Sequence, residues 1–288
     1  MRRAPFARAP GFASSVRRLL PVLSVLALSG TAVALADSGG ASPTSADGRL
    51  QGSFVLDGRV TVAHNVRGER AGHLLRRRWS FTSSCASGPC DTVSVRRARS
   101  GSAADRLTLT RRRPGLYSGP GVFYQALSCH HRRYPRGGRV PFVITVRVAR
   151  TATIQGAPFA TAIRATYVNA RRENLTRCSG FLGHDAARYA GPREGALPGP
   201  PAADFAAARE GAPNSSTYDF ADASTAGEGN ARVLARQWSF GEPASGDANS
   251  STASNPSHTF TVPGTYTVTL TVRDANGLTS TVSHDVTS

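Results

Sequence analysis

A chain of 288 residues with 35 basic residues, all of them arginine, against 18 acidic ones carries a formal charge of +17. That length holds about two domains once a targeting segment is removed. The absence of lysine points to a GC-rich coding bias and a bacterial source rather than to a functional choice, and beyond residue 36 no segment approaches membrane-spanning length.

The charge is unevenly spread. Residues 37–195 hold 26 arginines and 9 acidic residues, a net of +17, whereas residues 196–288 hold 4 and 9, a net of −5. At the start, Arg2, Arg3, Arg8, Arg17 and Arg18 precede an apolar run from Leu19 to Leu28, and Ala34-Leu35-Ala36 forms a small-residue cleavage site. This pattern predicts a signal peptide over 1–36 and a mature chain beginning near Asp37, an uncleaved anchor being the alternative. The protein is expected to be secreted, extracellular or associated with the cell surface. Residues 37–50 are expected to be a disordered N-terminal segment.

From 51 to 190 the pattern is β throughout. Phe54, Leu56, Val60 and Val62 alternate with Val55, Asp57, Arg59 and Thr61, while Trp79 and Phe81 flank Ser80, Val93 and Val95 flank Ser94, and Leu107 and Leu109 flank Thr108. The clearest strand is Val140–Val148, with Phe142, Ile144, Val146 and Val148 on one face; Ile163, Ala165 and Tyr167 make another. Seven or eight strands separated by turn clusters predict a compact β-sandwich or barrel. All four cysteines lie here: Cys85, Cys90, Cys129 and Cys178. In an exported chain an even number favours disulfides over zinc, whose usual ligand spacings are absent. Gly88-Pro89 makes a local Cys85–Cys90 bridge easy to close. That leaves Cys129 with Cys178, a longer loop that would stabilise the fold by roughly 4 kcal/mol.

The arginines recur in runs: Arg76-Arg77-Arg78, Arg96-Arg97, Arg111-Arg112-Arg113, Arg132-Arg133 and Arg171-Arg172. Guanidinium groups make bidentate contacts with phosphate and carboxylate, so Arg76, Arg77, Arg78, Arg111, Arg112, Arg113, Arg132 and Arg133 are the candidate anion-binding residues. Tyr117, Tyr124 and Tyr134 are candidate stacking surfaces beside them. No recognition motif for a specific nucleic acid accompanies the charge. Cys129-His130-His131 is the one suggestive cluster for chemistry, but adjacent strand residues face opposite ways and a bridged cysteine is no nucleophile. No hydrolase elbow, zinc helix or carboxylate pair is present, so no catalytic residue, metal or cofactor is expected. Gly191-Pro192 through Pro198-Gly199-Pro200-Pro201 reads as a semi-rigid linker over 191–201.

The last part, 202–288, is the most regular. Trp238-Ser239-Phe240-Gly241-Glu242-Pro243 is followed by Asn255-Pro256-Ser257-His258-Thr259-Phe260 and then by Pro263-Gly264. In Thr265–Asp274, Tyr266, Val268, Leu270 and Val272 alternate with four threonines, and Asp274-Ala275-Asn276-Gly277 turns into a final strand bearing Leu278, Val282 and Val286. These motifs resemble the PKD domain (polycystic-kidney-disease type), an immunoglobulin-like β-sandwich. Ala203-Asp204-Phe205 and Tyr218-Asp219-Phe220 look like its first two strands. The resemblance implies contacts with protein or carbohydrate outside the cell. Two aspartates of the family's signature are Ser239 and Glu242 here, which weakens any expectation of calcium binding.

The chain thus reads as an all-β protein of two domains, a disulfide-bonded basic sandwich or barrel and an immunoglobulin-like PKD-type sandwich. The expected role is non-catalytic binding or adhesion, with extracellular protein, polysaccharide or an anionic polymer as partner. The alternative is a secreted hydrolase whose first domain is catalytic and whose second targets it.

Overall fold

Alternating sequence in the first domain becomes nine strands: β1 (Gly52–His64), β2 (Leu74–Ser83), β3 (Thr92–Ala98), β4 (Ala104–Arg113), β5 (Leu116–Cys129), β6 (Arg132–Ile154), β7 (Ala157–Asn169), β8 (Glu173–Asn174) and β9 (His184–Pro192). The computed structural model describes residues 47–66, 68–99, 104–177, 183–229 and 231–288. The expected signal peptide and Cys178 lie outside the described residues. Strands β1 to β6 each pair with the next, β7 pairs with β9, and β9 returns to β1, every pairing antiparallel. Between sandwich and barrel, the structure is therefore an eight-stranded up-and-down barrel, with β8 adding two residues to the edge of β6. Closure pairs the ladder groups that an open sheet would leave exposed.

Period-two alternation sends Phe54, Leu56, Trp79, Phe81, Val93, Val95, Leu109, Tyr117, Ile144 and Val146 into the interior. An eight-stranded barrel is just wide enough for such side chains to fill it. Two glycines make room for rings: a Cβ on Gly58 would lie 2.4 Å from the Tyr189 ring, and one on Gly121 2.3 Å from the Phe142 ring. Val62 departs from the expected inward stripe. The register shifts between Val60 and Val62, and Val62 is 40% exposed, because a bulge reverses side-chain parity.

Residues 47–50 correct the expectation of a disordered segment. Arg49 and Leu50 are fully buried, and Asp47 takes a bidentate contact from Arg111. They close one end of the barrel, where the disulfide Cys85–Cys90 holds the β2–β3 loop as expected.

The second domain comprises β10 (Phe205–Arg209), β11 (Thr217–Asp222), β12 (Val233–Ser239), a short 3-10 segment (Pro243–Asn249), β13 (Ser250–Ser251), β14 (Ser257–Thr259), β15 (Thr265–Asp274) and β16 (Thr279–Thr287). A three-stranded sheet β10-β11-β14 faces a four-stranded sheet β13-β12-β15-β16. Phe205, Phe220, Trp238, Phe240, Phe260 and Leu270 fill the space between. The outward threonines of β15 bond across to β16: Thr265 to Thr287 at 3.2 Å, Thr267 to Asp285 at 2.7 Å, Thr269 to Ser283 at 2.8 Å and Thr271 to Thr281 at 2.9 Å. Such cross-strand pairs are the unit of sheet stabilisation.

The two domains pack directly. Arg49 donates to the carbonyls of Cys85 (2.9 Å) and Gly88 (3.0 Å) in the barrel and of Ala275 (2.8 Å) in the sandwich. Gln51 Nε2 donates to Asn276 Oδ1 at 2.7 Å, and Gln155 exchanges two hydrogen bonds with the Thr279 backbone. The docked element is the Asp274–Gly277 turn, held by the Asp274 carboxylate accepting from the backbone N–H of Asn276 and Leu278, both at 2.8 Å. Between the domains, the N–H of Arg193 and of Glu194 bond to Thr161 and Ser53 of the barrel, and that of Gly199 to Glu228 of the sandwich.

Candidate anion-binding site

The expected arginine runs do not form one face. On β2, Arg76 and Arg78 point outward beside Asp57 and Glu194, while Arg77 turns into the barrel. Arg111 faces inward and is held by both oxygens of Asp47 at 2.6 and 2.7 Å, contacts that push its pKa further up. Arg112 and Arg113 are exposed at the β4–β5 turn, and Arg132 and Arg133 at the tip of the β5–β6 hairpin. Consecutive strand residues face opposite sides, so a run of three arginines cannot present three guanidiniums to one surface. Of the candidate tyrosines, Tyr124 lies under Arg136 (4.0 Å) and Tyr134 under Arg132 (5.4 Å). Tyr117 is buried in the barrel and offers no stacking surface; burial raises its pKa.

A different set is assembled by register. Arg59 of β1 lies directly opposite Arg188 of β9, and Arg164 of β7 directly opposite Arg147 of β6. β9 also pairs β7, so the four arginines occupy four adjacent strands on the outer face. At a strand spacing of about 4.8 Å they span about 14 Å. With Leu74, Thr145 and Thr166 they line a shallow groove of about 690 Å³. All four are exposed, and among the described residues none has a carboxylate within ion-pair distance. Among the described residues, the one side-chain hydrogen bond of the set runs from Arg59 to the Gly72 carbonyl, at 3.5 Å. Like charges directly opposite each other destabilise a sheet. Here two such pairs stand side by side, an arrangement that an anionic chain laid across the strands would neutralise.

Sequence reasoning missed these residues because none of them belongs to a run of consecutive arginines. Their signal was parity: Arg59, Arg147 and Arg164 occupy outward positions in stretches whose alternation was already clear, whereas the β9 stretch that carries Arg188 had not been singled out. Which outward residues become neighbours depends on pairing register.

His130 and His131 form the two-residue turn between β5 and β6, exposed and both with positive φ (46° and 61°). Positive φ at both central residues is the geometry such a hairpin turn demands. Among the described residues no group of three histidine, cysteine or carboxylate side chains is placed to hold a metal ion. In the sandwich, the Glu242 carboxylate is buried and accepts from the Thr261 N–H (2.8 Å), the Thr261 hydroxyl (2.6 Å) and Tyr266 (3.4 Å), with His258 Nε2 at 3.1 Å. Burial alone would raise its pKa, but the Thr261 and His258 bonds outweigh it and hold the group below the usual glutamate range. The His258 ring stacks on Phe240 at 4.2 Å. Glu242 is therefore a structural hub of the sandwich. None of the described cysteines is free, and the partner expected for Cys129 lies outside the described residues.

Fold and site together define a two-domain β protein, a basic closed barrel docked on an acidic sandwich. Residues 199–288 match the family model of the PKD domain, so the second domain is of PKD type, whereas the barrel has no family match. No curated protein matches the chain. Among solved structures, the PKD1 domain of Vibrio anguillarum Epp is 26% identical, covering 32% of this chain and 95% of that one, with a TM-score of 0.27. The PKD1 domain from Vibrio cholerae metalloprotease PrtV is also 26% identical, over 31% of this chain and 95% of that one, with a TM-score of 0.26. No helix among the described residues is long and apolar enough to cross a membrane.

Proposed function

We propose that this is an exported, non-catalytic binding protein. Its barrel holds an anionic polymer on the Arg59, Arg188, Arg164 and Arg147 band, and its PKD-type domain contributes a second module for protein or carbohydrate contacts. The observation that carries this reading is the two like-charged cross-strand pairs, Arg59 with Arg188 and Arg147 with Arg164, none of which has a carboxylate of the described residues at ion-pair distance, Asp57 on the same groove pairing instead with Arg76. Nothing in the barrel's own packing calls for four such guanidiniums side by side. A polyanion with charges a few ångströms apart gives each one a partner, and recognition then follows charge spacing rather than sequence.

The experiment is retention of the full-length protein on heparin, on a wall-type phosphate polymer and on neutral agarose, across a salt series. Elution from at least one anionic matrix at a salt concentration well above that needed on agarose is expected, since counterion-linked binding weakens with salt. The variant Arg59→Gln/Arg147→Gln/Arg164→Gln/Arg188→Gln should elute at distinctly lower salt. Retention that ignores salt, or that is unchanged in this variant, would refute the assignment.

A further inference from the structure

The end of the barrel opposite the docked sandwich is built unlike the rest of its interior. Below it the space is filled by apolar and aromatic side chains. Among the described residues at this end, the inward strand positions Arg77, Arg97, Asp105 and Asp185 carry ions instead, joined by the loop residues Glu69, Arg99 and Arg172; all but Asp105, which pairs with Arg97 beneath it, line one cavity of about 360 Å³. Apolar residues at these positions would have continued the core. Burying ion pairs in place of hydrophobic side chains gives a fold little or no stability, so their presence here calls for another reason.

The ions form an ordered floor. Arg97 donates to Asp105 Oδ2 through Nε (3.1 Å) and Nη2 (2.6 Å), and its guanidinium lies 4.5 Å over the Phe142 ring and 4.7 Å over Tyr167. Arg172 donates to Asp185 Oδ1 (2.9 Å) and to Gln125 Oε1 (2.9 Å). Both pairs are buried. Arg99 shares Asp105 with Arg97: its Nε is 3.0 Å from Oδ1, at ion-pair distance without hydrogen-bond geometry, and its guanidinium is stacked 4.3 Å from the Phe123 ring. Among the described residues, Arg77 reaches the cavity with the Arg76 carbonyl as its one side-chain acceptor. Among the described residues, these four guanidiniums stand against Glu69 and Asp185 on the lining and Asp105 beneath it, a balance of one positive charge. Glu69 stands at the rim, where burial and the neighbouring Asp185 raise its pKa.

We propose that this open end is a second binding site, separate from the outer band, for a small organic monoanion. Its carboxylate or sulfate head would be gripped by Arg99 and Arg77, and its ring-sized body would lie among Phe123, Tyr167 and Tyr189. Three features set this ligand class. The single excess charge matches one negative charge. Arg99 is fixed by the Phe123 ring and Asp105, which leaves its two Nη groups to form a bidentate fork. The volume lies at the lower end of small-ligand pockets, too small for a polymer chain to thread.

The test is isothermal titration of the full-length protein with benzoate, cyclohexanecarboxylate, glucuronate and phenyl sulfate, with benzamide as the neutral counterpart. Saturable one-to-one uptake of at least one of the four anions, and none of benzamide, is expected; the carboxylate and sulfate arms identify the preferred head group. Arg77→Gln and Arg99→Gln should each weaken uptake about tenfold or more, the loss of one charge-assisted hydrogen bond. Arg77 is half-exposed and takes no part in the buried pairs, so Arg77→Gln tests the site even if Arg99→Gln disturbs folding. No saturable uptake of any of the four anions, equal uptake of benzamide, or unchanged affinity in Arg77→Gln would overturn the proposal.

Discussion

The barrel and the sandwich treat charge in opposite ways. In the sandwich the buried carboxylates are consumed by the fold: Glu242 by Thr261 and His258, Asp274 by its own turn, Asp222 by Ser224 and Arg236. In the barrel, arginines outnumber their partners on the outer face and at the open end. A polar group satisfied within the fold specifies structure, whereas one held in place without a partner is available to a ligand. Under the proposed function the recognition chemistry belongs to the barrel, although the sandwich has the more recognisable sequence.

That comparison breaks most sharply at Arg49, the one buried cation that serves both domains. Arg49→Ala would strand the carbonyls of Cys85, Gly88 and Ala275, a loss of about 3–5 kcal/mol. Calorimetry should show the wild-type domains melting together and the variant giving two separate transitions; a single transition in both would disprove the coupling. Next in size is the bridge that shapes the loop Arg49 grips. Cys85→Ser/Cys90→Ser should lower stability by about 2 kcal/mol by the loop-entropy relation, read by denaturant titration.

A pH series separates the domains further. Glu242 and Asp222 have pKa values depressed in the fold, each through hydrogen bonds that outweigh burial. Depressed carboxylates stabilise the native state above their unfolded pKa, and that contribution is lost as pH falls through the folded value. The sandwich should therefore hold its melting temperature down to the ordinary carboxylate range, about pH 4, and lose it below. Glu242→Gln should melt lower at neutral pH and show a shallower acid limb; an unchanged acid limb would remove Glu242 from this role. The smallest effect runs the other way. Arg59→Gln should raise barrel stability at low salt by about 0.2–1 kcal/mol, because it relieves a like-charge pair, and the gain should vanish in 1 M salt. A loss of stability at low salt would show that the pair is not strained.

Much of the fold was legible. The Thr265–Asp274 alternation appears as β15 with Val268, Leu270 and Val272 buried, and Trp238 and Phe240 lie in the sandwich core as their motif implied. Phe142, Ile144, Val146 and Val148 face the barrel interior as their spacing predicted. Residues 47–50 were misread because Arg49 looks solvent-bound in a polar segment; its burial depends on three carbonyls supplied from residues 85, 88 and 275. The arginine runs misled for a related reason, since adjacency in sequence is opposition across a strand.

Composition, alternation and turn chemistry are local properties, and they determined that this protein is all-β, that its basic charge belongs to the first domain and that its second domain is a PKD-type sandwich. Barrel closure, the four-arginine band, the ion-lined open end and the Arg49 dock were decided only by the tertiary structure. Each depends on which strands pair and in what register, and a shift of one residue would turn the same arginines to the other face.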